Sequence, residues 1–411
     1  MGGDYAFPKT GVLRISISSA DLVTVNFDGV VVATRQIPGG GFSGRGIAPT
    51  VWQTTSQVTM TDITSNVVAV PPVDPNPPPP VIVPPPLPTT PPPPPSTGTG
   101  DVSWLSGAAS RYATDGSFGQ WRGEPVGIAG TWDDNRQEQT NLSSLRFGDM
   151  KAWHGPLDDA IGAIWREQGE TWAAAAAGAF DARWRQSLRN LSALRAGRGA
   201  TYVRFAHEMN GDWVPWRVLK GQEADFRAAL ERFSSIRYEE FPAAKLVLCP
   251  NGETSRGMAD PRNLFVGAHS GGRPVVDVYC VDTYNQYPHR TNKAEIVASF
   301  DDVDANGVPV GIEAHRAFAQ RVGVPFSIAE WGNCGLASDC AGNYDRKGEA
   351  PAYVEAMNEW MRAHAGDLAS PRPGQLIYEI QFNLWRRFAL FGPEASQPQT
   401  ARAYAQMVWG K

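Results

Sequence analysis

Apolar and polar positions alternate in Val12-Leu13-Arg14-Ile15-Ser16-Ile17 and again in Val23-Thr24-Val25-Asn26-Phe27. Strict alternation is the pattern of a strand with one buried face. Asp28-Gly29 is a two-residue hairpin signal leading into Val30-Val31-Val32-Ala33. Residues 1–70 therefore read as a small all-β module. From residue 101 onward the pattern changes. Short apolar runs predict strands at 126–131, 150–153, 202–207, 245–250, 275–283, 325–329 and 376–385. Helical spacing between them predicts helices at 181–195, 223–233, 312–320, 351–363 and 400–408, with Asp181 as N-cap of the first. One further strand is expected near 164–172. Eight strand–helix units in residues 101–411 predict an α/β fold, a (β/α)8 TIM barrel. A doubly wound sheet is the alternative, but no phosphate-cradling glycine turn opens its first unit.

Between these regions lies a segment, 71–100, that is mostly proline up to Pro95. Proline removes backbone donors and favours polyproline II. Extended at about 3.1 Å per residue, it would hold two modules apart. A PxxP-type ligand is the other reading, and the position between two folded regions favours a spacer.

The 411 residues suffice for several domains and a large core. The net charge of -5 is mild, so no basic block argues for nucleic acid. No apolar run is long enough for a membrane span. The first nine residues have neither the basic nor the apolar part of a secretory signal. Either a leader has been removed or the protein reaches its substrate without one. Gly39, Gly41 and Gly44 match a dinucleotide-binding spacing, but no helix pattern follows them.

Cys249 and Cys280 sit in apolar runs and read as buried thiols. The spacing leaves open whether Cys334 and Cys340 bond. The six histidines are scattered, so neither a metal site nor a cofactor is expected.

Candidate chemistry centres on Arg204-Phe205-Ala206-His207-Glu208-Met209-Asn210-Gly211-Asp212-Trp213-Val214-Pro215-Trp216. An apolar strand ends in an acid, and tryptophans follow at once. A proton donor beside flat rings suits sugar cleavage. All of the 14 tryptophans except Trp52 lie after residue 100, which places any stacking surface in the larger domain. Other strand ends also carry polar or aromatic groups: Pro250-Asn251, Asp282-Thr283-Tyr284-Asn285, Glu330-Trp331 and Asn383-Leu384-Trp385. Polar groups closing buried strands are costly unless they serve a site, and a barrel's site lies at those ends.

These segments resemble glycoside hydrolase family 26, whose best-known members are endo-β-1,4-mannanases. Residues 204–216 match the family's R-x-x-H-E-M-N-G-x-W-x-P-W almost letter for letter. Gly178-Ala179-Phe180-Asp181, Cys249-Pro250-Asn251, Val281-Asp282-Thr283-Tyr284-Asn285 and Ala329-Glu330-Trp331-Gly332 extend the likeness over most of 120–410. The resemblance implies Glu208 as acid/base and Glu330 as nucleophile of a retaining mechanism. It also implies that His207 and Tyr284 contact sugar or nucleophile, that Trp385 is the platform at the cleavage site, and that Trp213 and Trp216 line the cleft. His154, Arg204, Asn251 and Trp331 complete the candidate set. Arg204, on the same strand as Glu208, would favour an ionised nucleophile. Trp213 and Trp331 could equally be packing residues, and His207 could orient Glu208. Glu253, Asp277, Asp282 and Glu313 read as loop or capping acids, with Asp282 near the mouth.

The implied substrate is β-mannan or another β-linked polysaccharide such as a bacterial capsule or exopolysaccharide. The alternative is a glycan-binding adhesin on a barrel that no longer turns over. A β module, a stiff spacer and a glycosidase also resemble a virion-associated depolymerase. Residues 1–70 would then attach to virion or cell-surface structural proteins, rather than bind carbohydrate, and the protein would be extracellular or virion-borne.

Overall fold

The computed structural model describes residues 13–17, 22–27, 30–36, 103–133, 150–336 and 348–410. The chain divides into two compact units, Met1–Leu87 and Pro88–Lys411. In the first, β1 (Leu13–Ile17), β2 (Leu22–Phe27) and β3 (Val30–Gln36) form an antiparallel sheet in that order. Phe27 pairs with Val30, the register a two-residue connection requires. The proline-rich spacer expected at 71–100 lies outside the described residues.

The second unit is a closed barrel of eight strands, each parallel to its neighbours. They are β4 (Leu105–Ala109), β5 (Ile128–Asp133), β6 (Leu157–Ile161), β7 (Thr201–Phe205), β8 (Lys245–Leu248), β9 (Val278–Asn285), β10 (Phe326–Asn333) and β11 (Leu376–Phe382). Closure joins β11 to β4 and rules out the doubly wound sheet. Helices cover the outside, and strands buried on both faces follow from that covering. β10 and β11 are buried along their whole length.

Two strand expectations are corrected. The run 150–153 forms a short 3-10 turn, Met150–Ala152, and the third barrel strand follows it at Leu157–Ile161. Asp158 and Asp159 interrupt the apolar pattern there, yet both are buried. The strand sought near 164–172 is instead β4. Its Gly107-Ala108-Ala109 lacks branched side chains because it packs tightly: a Cβ on Gly107 would collide with the Ile128 carbonyl. Residues 164–172 hold a 3-10 turn, Arg166–Gln168, and the start of a helix, Trp172–Ala176.

Three helices matter for the site's surroundings. They are α1 (Lys293–Ser299), α2 (Ile312–Val322) and α3 (Pro351–His364). The helix Asp181–Arg195 has the expected bounds, but its N-cap is Phe180. The Asp181 carboxylate turns instead to Arg232, accepting at 2.6 and 2.7 Å.

Cys249 and Cys280 are not separate thiols. They pair as a disulfide between the residue that follows β8 and the third residue of β9. The register explains it: Leu248 pairs with Tyr279, so the next residues stand side by side with Cα atoms 4.3 Å apart. Cys340, needed for the other pairing, lies outside the described residues. No described helix is long and apolar enough to cross a membrane.

Candidate active site

After β7 the backbone turns sharply. Ala206 and Glu208 both adopt left-handed conformations, with φ of 53° and 52°. Such angles are strained for residues with a Cβ and persist where surrounding contacts hold them. Here the Glu208 N–H donates to the Cys249 carbonyl at 2.7 Å, and the Glu208 carbonyl accepts from Gly211 N–H at 2.7 Å. The Glu208 side chain then meets two donors. Trp213 Nε1 donates to Oε2 at 2.8 Å, and Asn251 Nδ2 donates to Oε1 at 2.7 Å. Asn251 is itself held by the Glu253 N–H on its Oδ1 and by Asn210 on its backbone. Burial, then the negative charge of Glu330, pushes the Glu208 carboxyl up to about 7; the two hydrogen bonds pull the other way.

Glu330 lies on β10, just after a register shift against β9. It accepts from three donors: Trp132 Nε1 at 2.5 Å and Arg204 Nη1 at 2.7 Å on Oε1, and the Tyr284 hydroxyl at 2.7 Å on Oε2. Arg204 is fully buried and also donates to Asp158 at 2.6 Å and Asp282 at 3.1 Å. Burial opposes the cation, but the three carboxylates outweigh it. Asp158 is supported from below by the Tyr378 hydroxyl at 2.7 Å. Burial, then Glu330, holds the Asp282 carboxyl well above the usual range. One oxygen each of Glu208, Asp282 and Glu330 lies within 4.8 Å of the others. Positive charge at this cluster comes from Arg204, and the oxygens already accept protein donors.

The mouth of the barrel thus collects Glu208, Glu330, Arg204, Asn251, Tyr284 and Trp213. His207 is 4% exposed, with its ring 5.1 Å from that of Trp216. Burial, then Arg204, holds its imidazole well below the ordinary histidine range, so it is neutral. Trp385 follows β11 with φ of 52° and is 55% exposed, resting edge-on against Phe382 at 5.1 Å.

Three expectations are corrected. Trp216 does not line an open cleft: it is buried and donates Nε1 to the His207 carbonyl at 2.6 Å. Trp331 points away from the mouth, 1% exposed among Tyr353, Tyr404 and Trp409, with its Nε1 bonded to Glu379. Neighbours on a strand face opposite ways, so an inward Glu330 sends Trp331 outward. His154 precedes β6, where its carbonyl accepts from Gly199, which precedes β7. That is the opposite end of the barrel from the carboxylates.

Trp132, Asp158 and Tyr378 belong to the site and are absent from the sequence candidates, and Asp282, read as an acid near the mouth, joins it through Arg204. Trp132 had a legible signal, an aromatic at the end of a barrel strand. A cavity of about 560 Å³ opens beside the carboxylates, with Trp213, Asn251, Asp282 and Tyr284 in its wall.

The chain is similar in fold to several solved structures. One is the catalytic domain of a glycoside hydrolase family 26 endo-β-1,4-mannanase from Bacillus sp. JAMB-750, at 14% identity over 74% of this chain and 85% of that one, with a TM-score of 0.48. Another is an endo-β-1,4-mannanase double mutant from Cellulomonas fimi, at 17% identity over 74% and 70%, with a TM-score of 0.49. A third is the YdhT protein from Bacillus subtilis, at 14% identity over 75% and 87%, with a TM-score of 0.46. No protein-family model matches the chain. No curated protein matches it either. The chemistry rests on the residues above.

Proposed function

We propose that the protein is a retaining, endo-acting glycoside hydrolase of the family 26 type, cleaving a β-linked polysaccharide. The observation that carries this reading is the pairing of Glu208, held up to about 7, with Glu330, their carboxylate oxygens within 4.8 Å. Carboxyl groups about 5–5.5 Å apart serve double displacement, whereas wider spacing leaves room for a water between them.

In the first step a Glu330 oxygen attacks the anomeric carbon as the glycosidic bond breaks. Glu208 gives its proton to the departing oxygen. A glycosyl ester of Glu330 remains. Glu208, now ionised, takes a proton from water, which displaces Glu330 and releases the sugar with its configuration retained. Arg204, Trp132 and Tyr284 fix both oxygens of Glu330 for attack. The exposed faces of Trp213 and Trp385 suit stacking on sugar rings. β-1,4-Mannan is the first substrate to try, followed by bacterial exopolysaccharides. Display on a virion through residues 1–70 is the accompanying proposal for location, supported by the small β-sheet and the proline-rich segment in the sequence.

The reading is tested by following the anomer first released from β-mannan and exopolysaccharide panels, by proton NMR. Retention, with loss of reducing-end release in Glu330→Gln, is expected. Inversion, or undiminished hydrolysis in that variant, would sink it. Binding without cleavage by the unaltered protein would instead favour the adhesin reading.

A further inference from the structure

Three aromatic side chains stand open to solvent among the described residues: Trp213 and Trp385, already described, and Tyr287, 49% exposed. Single exposed rings are ordinary on a protein surface; three gathered at one barrel mouth mark a binding surface. Trp213 bonds to Glu208, and Trp385 follows β11, next to the strand of Glu330. Tyr287 touches neither carboxylate group's partners in the proposed mechanism, yet it lines the same cavity as Trp213.

The loop that carries Tyr287 is pinned. It leaves β9 toward α1, and the Asn285 side chain closes it. Asn285 Oδ1 accepts from the Arg290 N–H at 2.8 Å, and its Nδ2 donates to the Arg290 carbonyl at 2.8 Å. Asn333, on the same strand as Glu330, holds the loop from behind. Its Oδ1 accepts from Asn285 Nδ2 at 2.7 Å and meets His289 Nε2 at 3.0 Å. Tyr287 stands between these anchors with about half its surface open. An exposed ring on a loop tied to the nucleophile's strand is a preorganised contact surface.

The cavity lies on the side of the departing sugar. Glu208 protonates the departing oxygen, and both side chains that bond to Glu208, Trp213 and Asn251, are in the cavity wall. The same wall carries Glu253, Arg290 and Asp302, the last two paired at 3.3 Å. Open rings beside charged hydrogen-bonding groups suit a pyranose, which has apolar faces and a rim of hydroxyls. We infer that Tyr287 is a second stacking platform, so that the site holds two consecutive sugars of the departing chain, the nearer on Trp213 and the further on Tyr287. The inference rests on the glycosidase reading. It narrows the substrate to chains with at least two sugars on the reducing-end side of the cleaved bond.

The test uses the full chain, unaltered and as Tyr287→Ala and Tyr287→Trp. Substrates are β-1,4-linked manno- and glucooligosaccharides labelled with heavy oxygen at the reducing end, so that mass spectrometry locates each cut. Aryl β-mannobiosides and aryl β-cellobiosides, whose leaving group carries no sugar, serve as controls. The unaltered protein should release reducing-end fragments of two sugars or more. Tyr287→Ala should lower kcat/KM for those cuts about tenfold, the worth of one aromatic platform. Release of the single reducing-end sugar and cleavage of the aryl glycosides should be unchanged, and Tyr287→Trp should restore the original pattern. A merely structural tyrosine would lower every cut and the aryl substrates together. That uniform loss, or an unchanged pattern in Tyr287→Ala, overturns the inference while leaving the glycosidase reading intact. No cleavage by the unaltered protein of these substrates or of the exopolysaccharide panel overturns both.

Discussion

Trp213 donates its indole N–H to Glu208 at 2.8 Å while 55% of its own surface stays open to solvent. A sugar stacked on that ring would press on the residue that orients the acid. Substrate contact and the acid's proton affinity are therefore coupled through one side chain.

Trp213→Phe keeps the ring and removes the donor. That hydrogen bond favours the ionised form of Glu208, so its loss raises the acid's pKa further. Glycosylation needs protonated Glu208, and kcat/KM should fall as pH rises through about 7. In the variant this alkaline limb should move to higher pH. A limb that stays put or moves down would show that another group sets it.

Glu208→Gln should lower turnover of unactivated polysaccharide by about 10²–10⁴-fold, the usual worth of a general acid. Aryl glycosides with good leaving groups need no proton and should retain a fast first step, seen as a burst. Glu330→Gln should give no burst with either substrate. Equal damage to both substrate types in Glu208→Gln would remove the acid assignment.

Glu208 also links stability to pH. Its folded pKa, about 7, lies above the ordinary 4.5. Its contribution is fully present below 4.5 and is lost as pH rises through 7. Relative to Glu208→Gln, the unaltered protein should lose stability across that window, on the order of 2 kcal/mol once partial solvent access is allowed for. Urea unfolding of both proteins at a series of pH values measures it, and a flat difference would contradict it.

Arg204→Met leaves Asp158, Asp282 and Glu330 without their shared cation. Breaking a buried ion pair from one side typically costs about 3–5 kcal/mol. The loss should shrink as pH falls, because the acids then bind protons. Denaturant midpoints at pH 7 and pH 4.5 report both effects.

The tryptophans separate by exposure. Trp385→Ala should raise KM or lower kcat with little change in Tm, since its ring is 55% exposed. Trp331→Ala should cost about 3–5 kcal/mol of stability, the usual loss for a large buried aromatic. His154→Ala, at the far end of the barrel, should leave kcat/KM unchanged. Reversed outcomes for Trp331 and Trp385 would mean their faces have been exchanged.

Much of the centre was legible because it is written in continuous strings. Arg204 through Trp213 places a cation, an acid and a ring within one strand end, and Glu330 closes another. What the chain concealed follows from packing. β4 carries glycine and alanine where its neighbour's backbone approaches, so the usual branched residues are missing. β6 contains Asp158 because Arg204, 46 positions later, neutralises it; no local pattern can announce such a partner. The role of Trp331 was recoverable from alternation once Glu330 faced inward. Trp132 stood legibly at a strand end, but its partner lies 198 residues away, and Tyr378, 220 residues from Asp158, carried no such signal.

Arg204 touches acids from β6, β9 and β10 while belonging to β7. During the proposed first step Glu330 changes from an anion to an ester, and Glu208 changes from an acid to an anion. The number of negative charges around the guanidinium stays the same; only their address shifts, by less than 4.8 Å. The buried Arg204 can therefore stay in place through the step, because the total charge it balances does not change.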